Sequence, residues 1–188
     1  MKEVLDLFRQ TGALLNGHFT LRSGLHSREF FQCALLLQDA AIAARVCGLL
    51  ADRLGDYEAT TVISPAVGGI IVGQEVARHL GKRHIFVEKD GSGGLVLRRG
   101  FTIAPGERFL LAEDVVTRGG RVQETIQIVR DHGGVIAAAG SIVDRSGGEL
   151  PDFGCPFVSL VQMNVETFDG DHIPADLRNI PAVKPGSK

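Results

Sequence analysis

The sequence is poor in cysteine, poor in lysine and without any long uninterrupted apolar run. Cys33, Cys47 and Cys155 make an odd count with no CxxC pair, which excludes a disulfide framework and predicts free, buried thiols in a reducing compartment. No stretch approaches the ~18 apolar residues of a membrane span. The opening MKEVLDLFRQTGAL has acidic residues and lacks the apolar centre of a secretory signal. A cytoplasmic protein is expected, with no membrane partner. An excess of one charge is also missing: 20 Lys+Arg against 22 Asp+Glu leave −2. That balance argues against coating nucleic acid, though it leaves room for a local anion site. The six histidines are scattered at no metal-binding spacing, so no zinc is expected.

What is present fits one globular domain. A chain of 188 residues buries roughly 70% of its unfolded surface without a staple. Hydrophobic residues are 44% and charged residues 22%, ordinary for such a domain. The lysines are Lys2, Lys82, Lys89, Lys184 and Lys188; every other cation is arginine. Glycine is 24 of 188, about twice the usual ~7%. It is paired at Gly68-Gly69, Gly119-Gly120, Gly133-Gly134 and Gly147-Gly148 and clustered over Gly91–Gly94. Paired glycines at chain reversals bring backbone close to something, phosphate being one candidate.

Apolar spacing predicts a helix over Val4–Leu15 and strand-like chain over Phe19–Leu37, broken at Ser23-Gly24. Asp39 reads as the cap of a helix running to Leu54. Strands are predicted at Thr60–Ser64, His84–Glu88, Arg108–Ala112, Val135–Val143 and Phe157–Val161, with helices at Ile70–Leu80 and Gly120–His132. The tail from Asp169 is broken by prolines and reads as an extended or irregular end. Strands alternating with helices imply an α/β fold, a mostly parallel sheet flanked by helices, with ligands at the carboxyl ends of the strands. Pro65–Gly69, Glu113–Gly120 and Asp144–Gly148 are the polar or glycine-rich junctions there.

The segment Phe109–Arg121, FLLAEDVVTRGGR, carries the chemistry. An apolar strand delivers Glu113 and Asp114 to its carboxyl end. A Thr117–Gly120 turn then opens a helix, whose N-terminus offers unpaired N–H groups and partial positive charge to phosphate. Carboxylates beside it can accept hydrogen bonds from sugar hydroxyls. An acidic pair alone is more often a solvated strand end; the whole arrangement suggests a phosphorylated ribose.

Glu113-Asp114-Val115-Val116-Thr117-Arg118-Gly119-Gly120 resembles the phosphoribosyl-diphosphate (PRPP) motif of type I phosphoribosyltransferases. Arg118 stands where that motif usually has a small residue. Phe19-Thr20-Leu21-Arg22-Ser23-Gly24, followed by Ser27 and Phe30-Phe31, resembles the N-terminal signature of the orotate phosphoribosyltransferase family, with Arg22 where Lys is usual. Val143-Asp144-Arg145 resembles that family's Asp-Arg pair. The resemblance implies a single domain, 1–188, with a small hood contributed mainly by about 1–37.

It also implies site residues. Arg22, Ala66, Val67, Gly68, Gly69, Lys89, Arg121 and the stretch Glu113, Asp114, Val115, Val116, Thr117, Arg118, Gly119, Gly120 would bind PRPP. Phe30, Phe31, Thr117 and Arg145 would bind orotate, and Lys89, Asp114 and Glu113 would be the catalytic set. Arg145 suits a planar carboxylated pyrimidine because a guanidinium can grip a carboxylate at two points. An aromatic wall would suit its ring. Gly68 stands where many members carry Lys. The mobile catalytic loop of the family falls on Glu88–Gly94, shorter and with Glu88 where Arg is common; Arg98 and Arg99 are further candidate cations, and a solvated hairpin is the alternative.

The implied reaction transfers the phosphoribosyl group of PRPP to orotate, giving orotidine 5′-phosphate and diphosphate in pyrimidine biosynthesis. Mg²⁺ is the implied cofactor, held through PRPP and not by a dedicated protein site. A homodimer with shared active sites is implied, Lys89 reaching the neighbouring subunit. Two other readings stay open from the residues alone: transfer to another base, and a PRPP-sensing regulator built on the same fold.

Overall fold

The computed structural model describes residues 2–21, 23–163 and 165–185. Helix α1 (Lys2–Gln10) buries Val4, Leu7 and Phe8. It stops well before the expected Leu15. Thr11 turns its hydroxyl back onto the Leu7 carbonyl (2.8 Å), and Ala13 N–H returns to Phe8 O (2.8 Å), which closes the helix. Leu14 and Leu15 instead open strand β1 (Leu14–Thr20). Strand β2 (His26–Phe31) returns antiparallel to it.

The strand expected to continue to Leu37 becomes a short helix, α2 (Cys33–Leu37), whose Cys33, Leu36 and Leu37 are buried. Those positions are i, i+3 and i+4, one face of a helix, which a short apolar run does not distinguish from a strand. In α3 (Ala40–Leu54), Asp39 caps as expected, its carboxylate accepting Ala41 N–H (2.9 Å) and Ile42 N–H (3.1 Å).

Then follow β3 (Thr61–Pro65), α4 (Gly68–Leu80), β4 (Arg83–Lys89), β5 (Leu95–Leu97), β6 (Arg108–Val116), α5 (Gly120–Asp131), β7 (Val135–Asp144) and β8 (Phe157–Gln162). The six strands order as β5-β4-β3-β6-β7-β8, parallel except for the edge strand β5. Neighbouring side chains along a strand face opposite ways. Val62 and Leu110 therefore join the core under α3 and α4, while Ile63, Phe109 and Leu111 join the core under α5. Both faces are covered, so the strands read as continuous apolar runs. Strand order reverses between β3 and β6, and that crevice is where open α/β sheets place ligands.

The hood is a second sheet, β1-β2-β9, whose third strand β9 (Thr167–Phe168) comes from the other end of the chain. The tail from Asp169 is irregular, as expected, and is tied down. Val183 exchanges backbone hydrogen bonds with β1, accepting Thr20 N–H (2.9 Å) and donating to His18 O (2.9 Å). The His18 ring meets the Ile180 carbonyl at 2.8 Å. Arg28 pairs with Glu166 and, through Nε, with Asp176 at 2.9 Å. The hood thus takes its shape from both termini. Among the described residues no helix is long and apolar enough to cross a membrane. Cys33 and Cys47 are buried thiols, and Cys155 is half-buried.

Candidate active site

β6 runs four residues further than predicted, through the acidic pair to Val116. The carboxylates therefore belong to the strand, held by its ladder to β7, where Glu113 pairs with Ser141 and Val116 with Asp144. Glu113 is 7% exposed, and its carboxylate accepts the Asp114 N–H at 3.0 Å. Burial, reinforced by the neighbouring Asp114 charge, pushes Glu113 well above the usual carboxylate range. Asp114 is half-buried and accepts the Val115 N–H at 2.7 Å.

After β6 the chain turns at Thr117–Gly119 into α5. Gly119 adopts φ +75°, and a Cβ there would lie 2.8 Å from the Phe153 ring, so both backbone and space demand glycine. After β3, Ala66 N–H bonds across to Val87 O (2.7 Å), and α4 begins at Gly68 with no side chain capping it. Two helix N-termini thus open on one crevice.

The crevice is a cavity of about 900 Å³. Its walls include Ala66, Val67 and Gly68 after β3, Glu113 through Thr117 with Gly119, Gly120 and Arg121 on the β6–α5 side, and Glu88, Lys89 and Arg99 beyond. The structure therefore gathers most of the expected PRPP set. Three members differ. Gly69 is buried behind the loop, 3.1 Å from Glu113 Oε1 at its would-be Cβ. Arg118 is exposed and does not line the cavity. Arg22 lies outside the described residues.

The segment expected to be a mobile loop is a tight hairpin. Lys89 pairs with Leu95 across the strands, and Asp90 accepts the Ser92 N–H (2.9 Å) and hydroxyl (2.7 Å) within the turn. Of the two candidate arginines, Arg99 reaches the cavity and is engaged by Glu88 (2.8 Å); Arg98 does not line it. That contact lowers the Glu88 carboxyl below its ordinary value. Lys89 is exposed and borders the cavity of its own chain, so the expected reach into a neighbouring subunit is not required to bring it to the site.

The expected base-binding residues divide. Arg145 leaves the end of β7 beside β6, its N–H on Val116 O at 2.8 Å. Asp144 is buried and accepts the Ser146 N–H (2.9 Å), which fixes that turn. Arg145 is half-buried, its buried Nε has no hydrogen-bond partner, and burial lowers its pKa. Its Cζ lies 5.9 Å from the Phe30 ring centroid. Phe31 is not part of this wall. It is 3% exposed, faces the core and packs edge-on to Phe8 at 5.1 Å between centroids. Adjacent strand residues point to opposite faces, so Phe30 and Phe31 could not both face a ligand.

Ile70, Phe86 and Val122 also line the cavity and were not expected from sequence. They are apolar residues within regular elements, indistinguishable by pattern from core positions.

Residues 35–176 match the phosphoribosyl transferase domain family. An orotate phosphoribosyltransferase of Desulforamulus reducens is 46% identical over 187 residues, covering 100% of this chain and 97% of its own. One from Pelotomaculum thermopropionicum is 47% identical over 186 residues, covering 99% and 97%. The crystal structure of orotate phosphoribosyltransferase from Aeropyrum pernix superposes with a TM-score of 0.74 at 26% identity, covering 85% of this chain and 93% of that one. With the cavity at the β3/β6 crevice and an identity near one half along the full length, the chain belongs to the orotate phosphoribosyltransferase family.

Proposed function

We propose that this chain transfers the 5-phosphoribosyl group of PRPP to orotate, forming orotidine 5′-phosphate and diphosphate in pyrimidine biosynthesis. One observation carries the choice of base: the half-buried Arg145 beside Phe30, with its buried Nε lacking a partner. A buried polar group without a partner costs free energy until something pairs with it. A flat ring bearing a carboxylate supplies both an anion for the guanidinium and a face for the phenyl ring.

In this reading the Thr117–Gly120 turn holds the 5′-phosphate on the N-terminus of α5. The Ala66–Gly68 backbone and the start of α4 hold the diphosphate without a side chain. Glu113 and Asp114 hydrogen-bond the ribose hydroxyls, and the Asp114 charge favours the cationic ribose as the C1–O bond breaks. Lys89, with Arg99 at the cavity edge, stabilises charge growing on the departing diphosphate. The ring nitrogen of orotate attacks C1, the diphosphate leaves with the bonding electron pair, and the proton lost from that nitrogen passes to the diphosphate or to water. Mg²⁺ fits the site as a passenger of PRPP, because the carboxylates at hand are hard oxygen donors suited to it. It would neutralise diphosphate charge.

We also propose a homodimer. Ile71, 44% exposed, lies with Phe86 and Phe101 along a shallow groove, an apolar surface that a second copy would cover. Each cavity would use the Lys89 of its own chain. Three unpaired cysteines suit the reducing cytoplasm.

The test is a turnover assay with Mg²⁺ and PRPP, following the loss of orotate's ultraviolet absorbance, with uracil, adenine and hypoxanthine run in parallel. Turnover with orotate alone is expected. Turnover with another base would overturn the reading of Arg145. PRPP binding without any turnover would make the protein a PRPP sensor.

A further inference from the structure

The hairpin that carries Lys89 is gripped from outside. Glu124, in the second turn of α5, accepts the Leu95 N–H through one carboxylate oxygen and the Arg121 guanidinium through the other, at 2.7 Å. Arg121 in turn donates to the Gly93 carbonyl at 3.0 Å. One N–H and one C=O of the returning arm are therefore taken by a single helix turn. Leu95 is the cross-strand partner of Lys89, so the grip lies directly opposite that cation. Glu124 itself does not line the cavity.

We infer that Glu124 is a positioning residue: through Leu95 and Arg121 it couples the hairpin bearing Lys89 to the helix whose N-terminus binds phosphate. An ion pair at i, i+3 spacing with both partners a third exposed contributes little to stability by itself. Its consequence here is geometric. The hairpin is an edge element with a three-residue second strand and a turn containing Gly91, Gly93 and Gly94. Beyond the Pro65–Val87 pair, Glu88 and Lys89 have only β5 beside them, and a bare two-stranded ribbon is marginally stable in water. Within the turn, Asp90 supplies the bonds to Ser92 and Gly94, but these set only the turn's own shape. The attachment to α5 sets where that shape sits. The spacing between a cation and two phosphate loops matters because a displacement of ~1 Å at a reacting group can cost about a hundredfold in rate.

The inference rests on the proposed reading in assigning Lys89 and the N-terminus of α5 to PRPP. It is tested with the whole protein as Glu124→Ala and Glu124→Gln, by amide hydrogen exchange without ligand, PRPP affinity by calorimetry, and steady-state kinetics. In Glu124→Ala, exchange at Leu95 should accelerate at least about tenfold, and kcat/KM for PRPP should fall about tenfold or more. The orotate KM and the Tm should hold. Glu124→Gln keeps the acceptor for Leu95 but loses the charge facing Arg121, so it should fall between. A folded Glu124→Ala with unchanged Leu95 exchange or unchanged PRPP affinity would overturn the inference. A wild-type protein inactive on orotate would overturn the functional reading, and exchange and PRPP affinity would still decide this one.

Discussion

Gly68 and Asp114 leave no room between them: a Cβ on Gly68 would lie 2.3 Å from Asp114 Oδ2 and 2.8 Å from its Cγ. The loop after β3 and the acidic pair at the end of β6 meet here, across the strand-order reversal. The missing side chain is therefore what lets the carboxylate face the cavity.

Gly68→Ala should displace the Asp114 carboxylate and raise the PRPP KM roughly tenfold, the scale of one charge-assisted hydrogen bond to a ribose hydroxyl. Gly68→Lys, which puts back the cation common elsewhere in the family, should impair PRPP use further instead of improving it. The orotate KM should be unaffected in both. Steady-state kinetics with each substrate varied decides the matter; a gain in kcat/KM for PRPP with Gly68→Lys would mean that Asp114 can yield without cost.

The two neighbouring phenylalanines should separate cleanly. Arg145→Ala should raise the orotate KM on the order of a hundredfold, and Arg145→Lys should do so less, because it keeps the charge but loses the planar fork. Phe30→Ala should also raise the orotate KM. Phe31→Ala should instead cost about 3–5 kcal/mol of stability by emptying a packed core position against Phe8, with the orotate KM of the folded fraction intact. Thermal unfolding beside kinetics reads both effects. An orotate KM that followed Phe31 and ignored Phe30 would reverse the assignment of faces.

How far these residues could be read beforehand depended on how local their signals were. The Asp39 cap, the helix ending at the left-handed Gly81 and the β6–α5 turn are written in consecutive residues, and the structure has them in place. The β6–α5 side of the cavity was legible for the same reason, since strand, acidic pair, threonine and glycines follow one another. The short run at Cys33–Leu37 was ambiguous because five residues do not separate a period of 2 from one of 3.6. The tail is irregular as its prolines imply, but its attachment was not legible, because that comes from partners far along the chain, Ile180 on His18 and Asp176 on Arg28. Glu124 was invisible for that reason too: its spacing from Arg121 is a surface pattern, and only the folded chain brings Leu95 to it.

Subunit mixing tests whose site Lys89 serves. Lys89 borders the cavity that its own chain's Asp114 lines. Lys89→Ala and Asp114→Asn should each be nearly inactive, and a mixed population, refolded together to form heterodimers, should recover no activity above the sum of the two. In such heterodimers every cavity still lacks one of the groups. Recovery toward a quarter or more of the wild-type rate would place Lys89 in the partner's site and restore the sharing that the family resemblance implied.

Acid should loosen the sheet through His84. Its Nε2 lies 2.8 Å from the buried Ser64 hydroxyl, on the strand that leads into the Ala66–Gly68 loop. Burial pushes the imidazole down to about 4 from an ordinary 6.5, so the folded protein holds it neutral. Between those values the unfolded chain binds a proton that the folded chain refuses. Stability therefore falls as pH drops from about 6.5 to about 4, and this contribution levels off below. Glu113 acts in the opposite sense, since its raised carboxyl favours the folded state at lower pH. Comparing Tm against pH for the wild type and His84→Gln subtracts Glu113 and isolates the imidazole. His84→Gln should be less stable near neutrality, through the altered contact with Ser64, but should lose less of its Tm on acidification. Parallel curves for the two proteins would show that the imidazole titrates alike in the folded and unfolded chain.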